Sequence, residues 1–457
     1  MKRLLLAAMM TLPWSAPASA QHWVTAWAAS SQGPYPSGNA TAQPELRFAL
    51  PNQDTGARDQ SFRLIVRPTV WGQRVRLRFS NAFGTRPVTF DGAFVGLQAS
   101  GAALMPGSNR PVLFGGRKQL TVPSGATAWS DPVSLPFVAN PAAPELLGRK
   151  LALSFHVVGE SGPITWHAKA LQTSYLTQPG AGALGELEED SAYPSTATSW
   201  FFVDALETQA PSDTKLVVAF GDSITDGTAS TLNGDDRWPD ALARRLRAAG
   251  IRASVVNAGI GGNQVVGPAE YTPAAPFAGG PSALSRLDRD VLGLSGVTHV
   301  IWLEGINDIG AGATAEAIEA GLRQGVERLR TKLPAVRVIG ATLTSAVGTT
   351  APALQAPDAE ARRQAVNRWI RDNPDGLFDG VVDFDAATAD PRTKGLREEF
   401  VPNSTVGGSG DRLHPNRAGY LAMADAVDLG LIAAGPRPVP HRPQRPAPAK
   451  VPGATQH

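Results

Sequence analysis

The chain has no cysteine among its 457 residues. That excludes a disulfide framework, a thiol nucleophile and a cysteine-ligated metal centre, and it leaves stability to the packed core. Long apolar runs are lacking too. The sole candidate lies in residues 1–20 and is too short to span a bilayer, so no transmembrane segment is expected. Metal-ligand spacings are missing: no His-x-x-x-His pair occurs and no clustered acids give such a spacing, so no metal is expected. A strong basic excess is also absent. The formal net charge is +2, and Lys2, Arg3, Arg437, Arg442, Arg445 and Lys450 stand at the two ends. Removing these six from 42 bases leaves 36 against 40 acids, so the body of the chain is near −4. A nucleic-acid partner is not implied.

What remains is a loop-rich chain, with 47 Gly and 38 Pro, that is 42% hydrophobic. That is enough apolar material for a core, and the length suggests two domains. Residues 1–20, MKRLLLAAMMTLPWSAPASA, combine a basic start, an apolar stretch and Ala18-Ser19-Ala20. This is the pattern of a secretory signal, so a secreted or periplasmic protein is expected.

Residues 21–206 read as an all-β domain. RVRLRF (74–79) alternates charged and apolar residues, the period of a half-buried strand. SFRLIVRPTV, VTFDGAFVGL, KLALSFHVVG, ITWHAKA and SWFFVDAL are further strands between turn residues. Short strands without helices predict a β-sandwich, jelly-roll-like in type. Residues 207–214, ETQAPSDT, read as a linker.

From 215 to 435 the texture changes. LVVAF, ASVVNA, THVIWL, VRVIGATL and GVVDF are apolar without alternation, as strands buried on both faces are. Amphipathic stretches lie between them, among them RWPDALARRLRAAG, TAEAIEAGLRQGVERLRTKLP, DAEARRQAVNRWIRDN and PNRAGYLAMADAVDLGL. Strand–helix alternation predicts an open α/β sheet with helices on both faces and functional loops at the strands' carboxyl ends. Residues 436–457 form a Pro-rich basic tail that cannot bury much apolar surface and is expected to be disordered.

Four segments stand after predicted strands or in a late loop: GDSIT (221–225), NAGIGGN (257–263), GIND (305–308) and DRLHP (411–415). Ester hydrolysis needs a nucleophile, a base, a group orienting that base and donors for an oxyanion. Ser223 can serve as nucleophile, His414 as base and Asp411 as its orienter. The backbone N–H groups of Ser223 and Gly262, with the Asn307 side-chain amide, can form the oxyanion hole. Thr225 stands where a Gly-x-Ser-x-Gly elbow needs its second glycine, which disfavours an ordinary α/β-hydrolase.

These blocks resemble those of the SGNH (GDSL-type) hydrolase family, over about residues 215–432. Ser223 matches in GDSIT, Gly262 in NAGIGGN, Asn307 in GIND and His414 in DRLHP, with Asp411 completing the triad. The choice of Gly262 over Gly261 rests on that resemblance. The first block has Ile224 where the family's nickname has Leu, and residues 267–283 lengthen the connection after the second block. The resemblance implies a flavodoxin-like three-layer α/β/α fold and no cofactor. It further implies acyl-ester chemistry on small or aryl esters, lipids or acylated glycans.

Several residues carry structural readings beside the functional ones. Asp222 is expected to brace its turn, Asp308 to be structural and His299 to pack in the core. His156 and His167 are expected in satisfied surface or interdomain roles, and Asp383 and Asp385 to orient loops. DRLHP alone also fits a helix start with Pro415 as the first helical residue. The β domain reads as a cover for the cleft or as a glycan-binding module using Trp71, Trp129 and Trp166. Acyl transfer or O-acetyl-glycan deacetylation would use the same site, and a glycan-binding or adhesion protein is the alternative from another class.

Overall fold

The computed structural model describes residues 21–437. The expected signal, residues 1–20, and residues 438–457 of the tail lie outside the described residues.

The amino-terminal region is antiparallel. Its main strands are β1 (Gln21–Ala28), β2 (Arg58–Val66), β3 (Arg74–Ser80), β4 (Val88–Ser100), β5 (Leu151–Glu160) and β6 (Val203–Pro211). One sheet runs β1-β6-β3 and a second contains β2-β5-β4. Phe62, Phe79, Phe90, Phe155 and Phe202 fill the space between them, all at most 1% exposed. Such a curled, sandwich-like region follows from the period-2 pattern of its strands. Two predicted strands are shorter or broken. ITWHAKA keeps only Thr165–His167, and SWFFVDAL breaks at Phe202, where φ is +59°.

The predicted linker 207–214 needs correction. Residues 207–211 finish strand β6, which pairs with both β1 and β3, and only 212–214 connect. The polar composition misleads because Glu207 is fully buried, with its carboxylate 2.6 Å from Arg76 and accepting from Ser295 N–H. Part of the charged face of RVRLRF is covered for the same reason: Arg74 is exposed, but Arg76 is half-buried and Arg78 is buried. Arg78 pairs with Asp204 at 2.6 Å and donates to the Gly293 carbonyl of the second domain.

The carboxy-terminal region holds a parallel sheet of β7 (Lys215–Gly221), β8 (Ala253–Gly259), β9 (Val297–Leu303), β10 (Arg337–Ala341) and β11 (Gly380–Val382). Its order, β8-β7-β9-β10-β11, is the doubly wound flavodoxin-like arrangement. The helices include α1 (Ser223–Asp226), α2 (Trp238–Ala248), α3 (Ile306–Gly310), α4 (Ala315–Lys332), α5 (Ala359–Asp372) and α6 (Arg417–Ala426), beside further short ones. In α4 the buried positions Ile318, Leu322, Val326 and Leu329 make one apolar stripe, and Thr314 caps its first turn. α2 packs on α6 and α4 on α5. The stretch PNRAGYLAMADAVDLGL divides into α6 and a short helix at Leu429–Ala433. Arg437, at the start of the predicted tail, docks on Ala335 and Asp379. Among the described residues no helix is long and apolar enough to cross a membrane.

The two regions share one core. Val24, Ala28, Ala205 and Ala210 of the β region join the apolar cluster of the parallel sheet. The Ser254 hydroxyl donates to the Thr25 carbonyl across the seam at 2.6 Å.

His299, on β9, is 2% exposed with Nδ1 2.8 Å from Thr298 Oγ1, as a core histidine should be. Burial pushes its pKa from 6.5 down to about 4. The unfolded chain therefore takes up a proton that the native site refuses. Stability from this site is full above the unfolded pKa and falls as the pH drops from about 6.5 to about 4, by about 3 kcal/mol at the bottom. Urea midpoints across this window should fall more steeply for the unsubstituted chain than for His299→Leu; equal slopes exclude the effect.

Candidate active site

The sheet order reverses between β7 and β9, and the predicted site segments gather at the carboxyl ends there. After β7, Asp222 N-caps α1 by accepting the Ile224 N–H at 2.9 Å. It is buried and pushed well above the usual carboxylate range by that burial. Asp222 thus braces the turn that presents Ser223.

His414 comes from 191 residues away and sets Nε2 2.8 Å from Ser223 Oγ. Its Nδ1 is 2.6 Å from Asp411 Oδ2, while Asp411 Oδ1 accepts the N–H groups of Leu413 and His414 at 3.0 and 2.9 Å. Partial burial pushes the Asp411 carboxyl up. The bond and charge of His414 and the two amides outweigh it and hold the group well below its usual range. A carboxylate at Nδ1 keeps the proton on that nitrogen, so Nε2 is free to accept from the Ser223 hydroxyl. The loop itself is anchored by the Asp411 carbonyl, which accepts from Thr350 N–H and the Thr349 hydroxyl. DRLHP is not the helix start that Pro415 suggests: Asn416 is the N-cap, and α6 begins at Arg417.

The remaining donors converge from β8 and β9. Gly261 N–H is already bonded to Asp226 Oδ2 at 3.0 Å. The N–H groups of Gly262 and Ser223 have no acceptor among the described residues. Gly262 has φ +84°, a left-handed conformation suited to glycine. Asn307, on α3, donates one amide hydrogen to the Asn263 carbonyl at 2.9 Å, which aims its NH₂ at the same loop. Asp308 next to it is structural: its carboxylate accepts Val265 and Val266 N–H at 2.8 and 3.0 Å. Serine, imidazole, carboxylate and free donors in this arrangement can carry out acyl transfer by nucleophilic attack.

Of the supporting residues, Arg286, Lys169 and Asn39 escaped the sequence reading, while His167 did not. Arg286 is 1% exposed and donates to Gly221 O, Ala258 O and Asn263 Oδ1, tying the ends of β7 and β8 to the glycine loop. His167 of the β region places Nε2 3.1 Å from Asp226 Oδ1, the interdomain role expected of it. Lys169, 4% exposed, donates to Thr228 Oγ1. Burial pushes its ammonium pKa down, against the carboxylates of Asp226, Asp222 and Asp411. Asn39 donates to the Gly261 carbonyl at 2.9 Å. A charged residue inside an apolar pattern was the available signal for Lys169; nothing local marks Asn39.

Other candidates lie apart from the site. His156 is held within the β region between Asp91 and Asp59 at 2.6 and 2.9 Å. Asp383 caps a short helix, and Asp385 pairs with Arg363 at 2.7 Å, so both order loops. The tryptophans considered for glycan binding do not form an exposed platform. Trp166, on a strand, is 2% exposed and Trp71, in the connection between β2 and β3, is 7% exposed, both turned into the core, and Arg76 and Arg78 lie over Trp129. The lengthened connection 267–283 lies against the β region: Tyr271 donates to the Gln32 carbonyl at 2.6 Å and stacks edge-on with Phe83.

Residues 219–422 match the GDSL-like Lipase/Acylhydrolase family. No curated protein matches the chain. Among solved structures, the chain is similar to a lipolytic G-D-S-L family protein from Veillonella parvula, with 19% identity over 46% of this chain and 95% of that one, at a TM-score of 0.34. An aryl esterase from M. smegmatis is 18% identical over 46% and 95%, at 0.36. An acetyl-xylooligosaccharide esterase from Geobacillus is 22% identical over 47% and 91%, at 0.34. With the family's segment lying on the parallel sheet, the C-terminal half of this chain is a GDSL-like lipase/acylhydrolase (SGNH) domain, of a family of carboxylic ester hydrolases.

Proposed function

We propose that the protein is an exported serine ester hydrolase that works through an acyl-enzyme. The observation that carries this reading is the continuous chain from Ser223 Oγ through His414 to the Asp411 carboxylate, at 2.8 and 2.6 Å.

His414 Nε2 takes the proton from Ser223 Oγ as that oxygen attacks the ester carbonyl. The carbonyl electrons move to oxygen, where Ser223 N–H, Gly262 N–H and the Asn307 amide receive the charge. The C–O bond to the alcohol then breaks as His414 returns the proton to the leaving oxygen. Water, deprotonated by His414, attacks the acyl-serine, and a second oxyanion collapses to release the acid and restore Ser223. Asp411 keeps the imidazole oriented and stabilises its charged form in both halves. The basic, apolar and small-residue order of residues 1–20 supports export.

Asn307→Ala removes one oxyanion donor without touching the triad. Its kcat on p-nitrophenyl acetate is expected to drop by on the order of 10²–10³ with KM little changed. A variant at the wild-type rate removes Asn307 from the hole.

A further inference from the structure

The oxyanion loop is a poor candidate for holding its own shape. Gly261 and Gly262 carry no side chains, and Gly262 stands at φ +84°, so rotation of the peptide unit between them meets little steric resistance. That unit matters because it contains both the Gly261 carbonyl and the Gly262 N–H. In a trans peptide these two groups point in opposite directions. Whatever grips the carbonyl on one side therefore sets where the N–H points on the other.

The grip comes from the β region. Asn39 Nδ2 donates to the Gly261 carbonyl at 2.9 Å across 222 residues of sequence. Its amide lies 2.6 Å from where a Cβ on Gly262 would stand, and Lys169 Nζ lies 2.9 Å from the corresponding position on Gly261. The flanks are held separately. Gly261 N–H bonds Asp226 Oδ2, and His167 of the β region approaches the other oxygen of that carboxylate. Asn263 is held by Arg286 and Asn307. Only Asn39 bonds the carbonyl of the central unit among the described residues.

We propose that Asn39 is a positioning residue of the oxyanion hole, fixing the Gly261–Gly262 peptide plane so that the Gly262 N–H faces the reacting carbonyl. The β region is then a working part of the catalytic site. This rests on the acyl-enzyme reading above. Asn39 acts through Gly262, so its loss is smaller than that of a direct donor.

The test compares Asn39→Ala and Asn39→Asp with wild type and Ser223→Ala on p-nitrophenyl acetate. Asn39 is exposed at the surface, so both variants should keep the wild-type melting temperature. Aspartate keeps the shape but cannot donate to a carbonyl when ionised. Both should lose kcat by on the order of tenfold or more, with KM within about threefold, since the defect appears only as the oxyanion forms. Folded variants with wild-type kcat, or a loss expressed in KM, overturn the inference. An active Ser223→Ala instead overturns the proposed function, so the two failures are distinguishable.

Discussion

Ser223→Ala is expected to abolish the hydrolysis of p-nitrophenyl acetate, butyrate and octanoate, with a fall in kcat on the order of 10⁴–10⁶. The magnitude follows from the role. Without Oγ there is no acyl-enzyme, and the oxyanion donors and binding contacts can only assist a direct attack by water. The fold should be indifferent to the change. Among the described residues Ser223 Oγ has one partner, His414 Nε2, and the turn is held by Asp222 and the backbone. Loss of one partly buried hydrogen bond changes stability by about 1 kcal/mol. Kinetics and thermal denaturation of the two proteins, run together, check both halves. A variant that still hydrolyses the three esters rejects Ser223 as nucleophile. With the variant inactive, the wild-type profile across the three chain lengths separates a small-acyl esterase from a lipase-like enzyme.

Asp411→Asn should cost on the order of 10⁴ in kcat while leaving the backbone of the loop in place. The reason is a proton's location. Asp411 Oδ2 accepts the Nδ1 proton of His414 at 2.6 Å, which leaves Nε2 as an acceptor for Ser223. An asparagine amide that turns its NH₂ toward Nδ1 donates there, and the ring then carries its proton on Nε2, facing Ser223 Oγ. That tautomer cannot take the serine proton. Asp411→Asn kinetics near neutral pH provide the measurement, with KM expected to change little. A rate within tenfold of wild type would show that another group orients the imidazole.

Much of the site was legible because its parts are local. GDSIT, GIND and DRLHP are each a few residues long, and each follows a strand or precedes a helix whose period is written in the same stretch. The parallel strands were legible for a similar reason: LVVAF and the VIWL of THVIWL are buried on both faces, so their positions are apolar in unbroken runs. Polarity misled where it was paired rather than solvated. ETQAP looked like a linker, yet Glu207 is a buried strand residue neutralised by Arg76. The same pairing covers Arg78 of RVRLRF. The tryptophans of the β region misled in the opposite sense, since an aromatic in a strand or in the connection between strands can face either way, and Trp71 and Trp166 face inward.

The sequence by itself determined the residue types of the candidate site, the strands that carry them and the order of the chemical roles proposed for them. Those follow from local periodicity and from the few side chains able to attack, accept a proton or donate to an oxyanion. Only the tertiary structure shows that Asp226 occupies the Gly261 N–H while the Gly262 N–H has no acceptor among the described residues, which favours Gly262 as the proposed donor. It also decided that Asn39, Lys169 and His167 of the β region reach the oxyanion loop and its supports. No local pattern encodes such contacts. They exist only once the two sheets share a core and bring together groups that are distant along the chain.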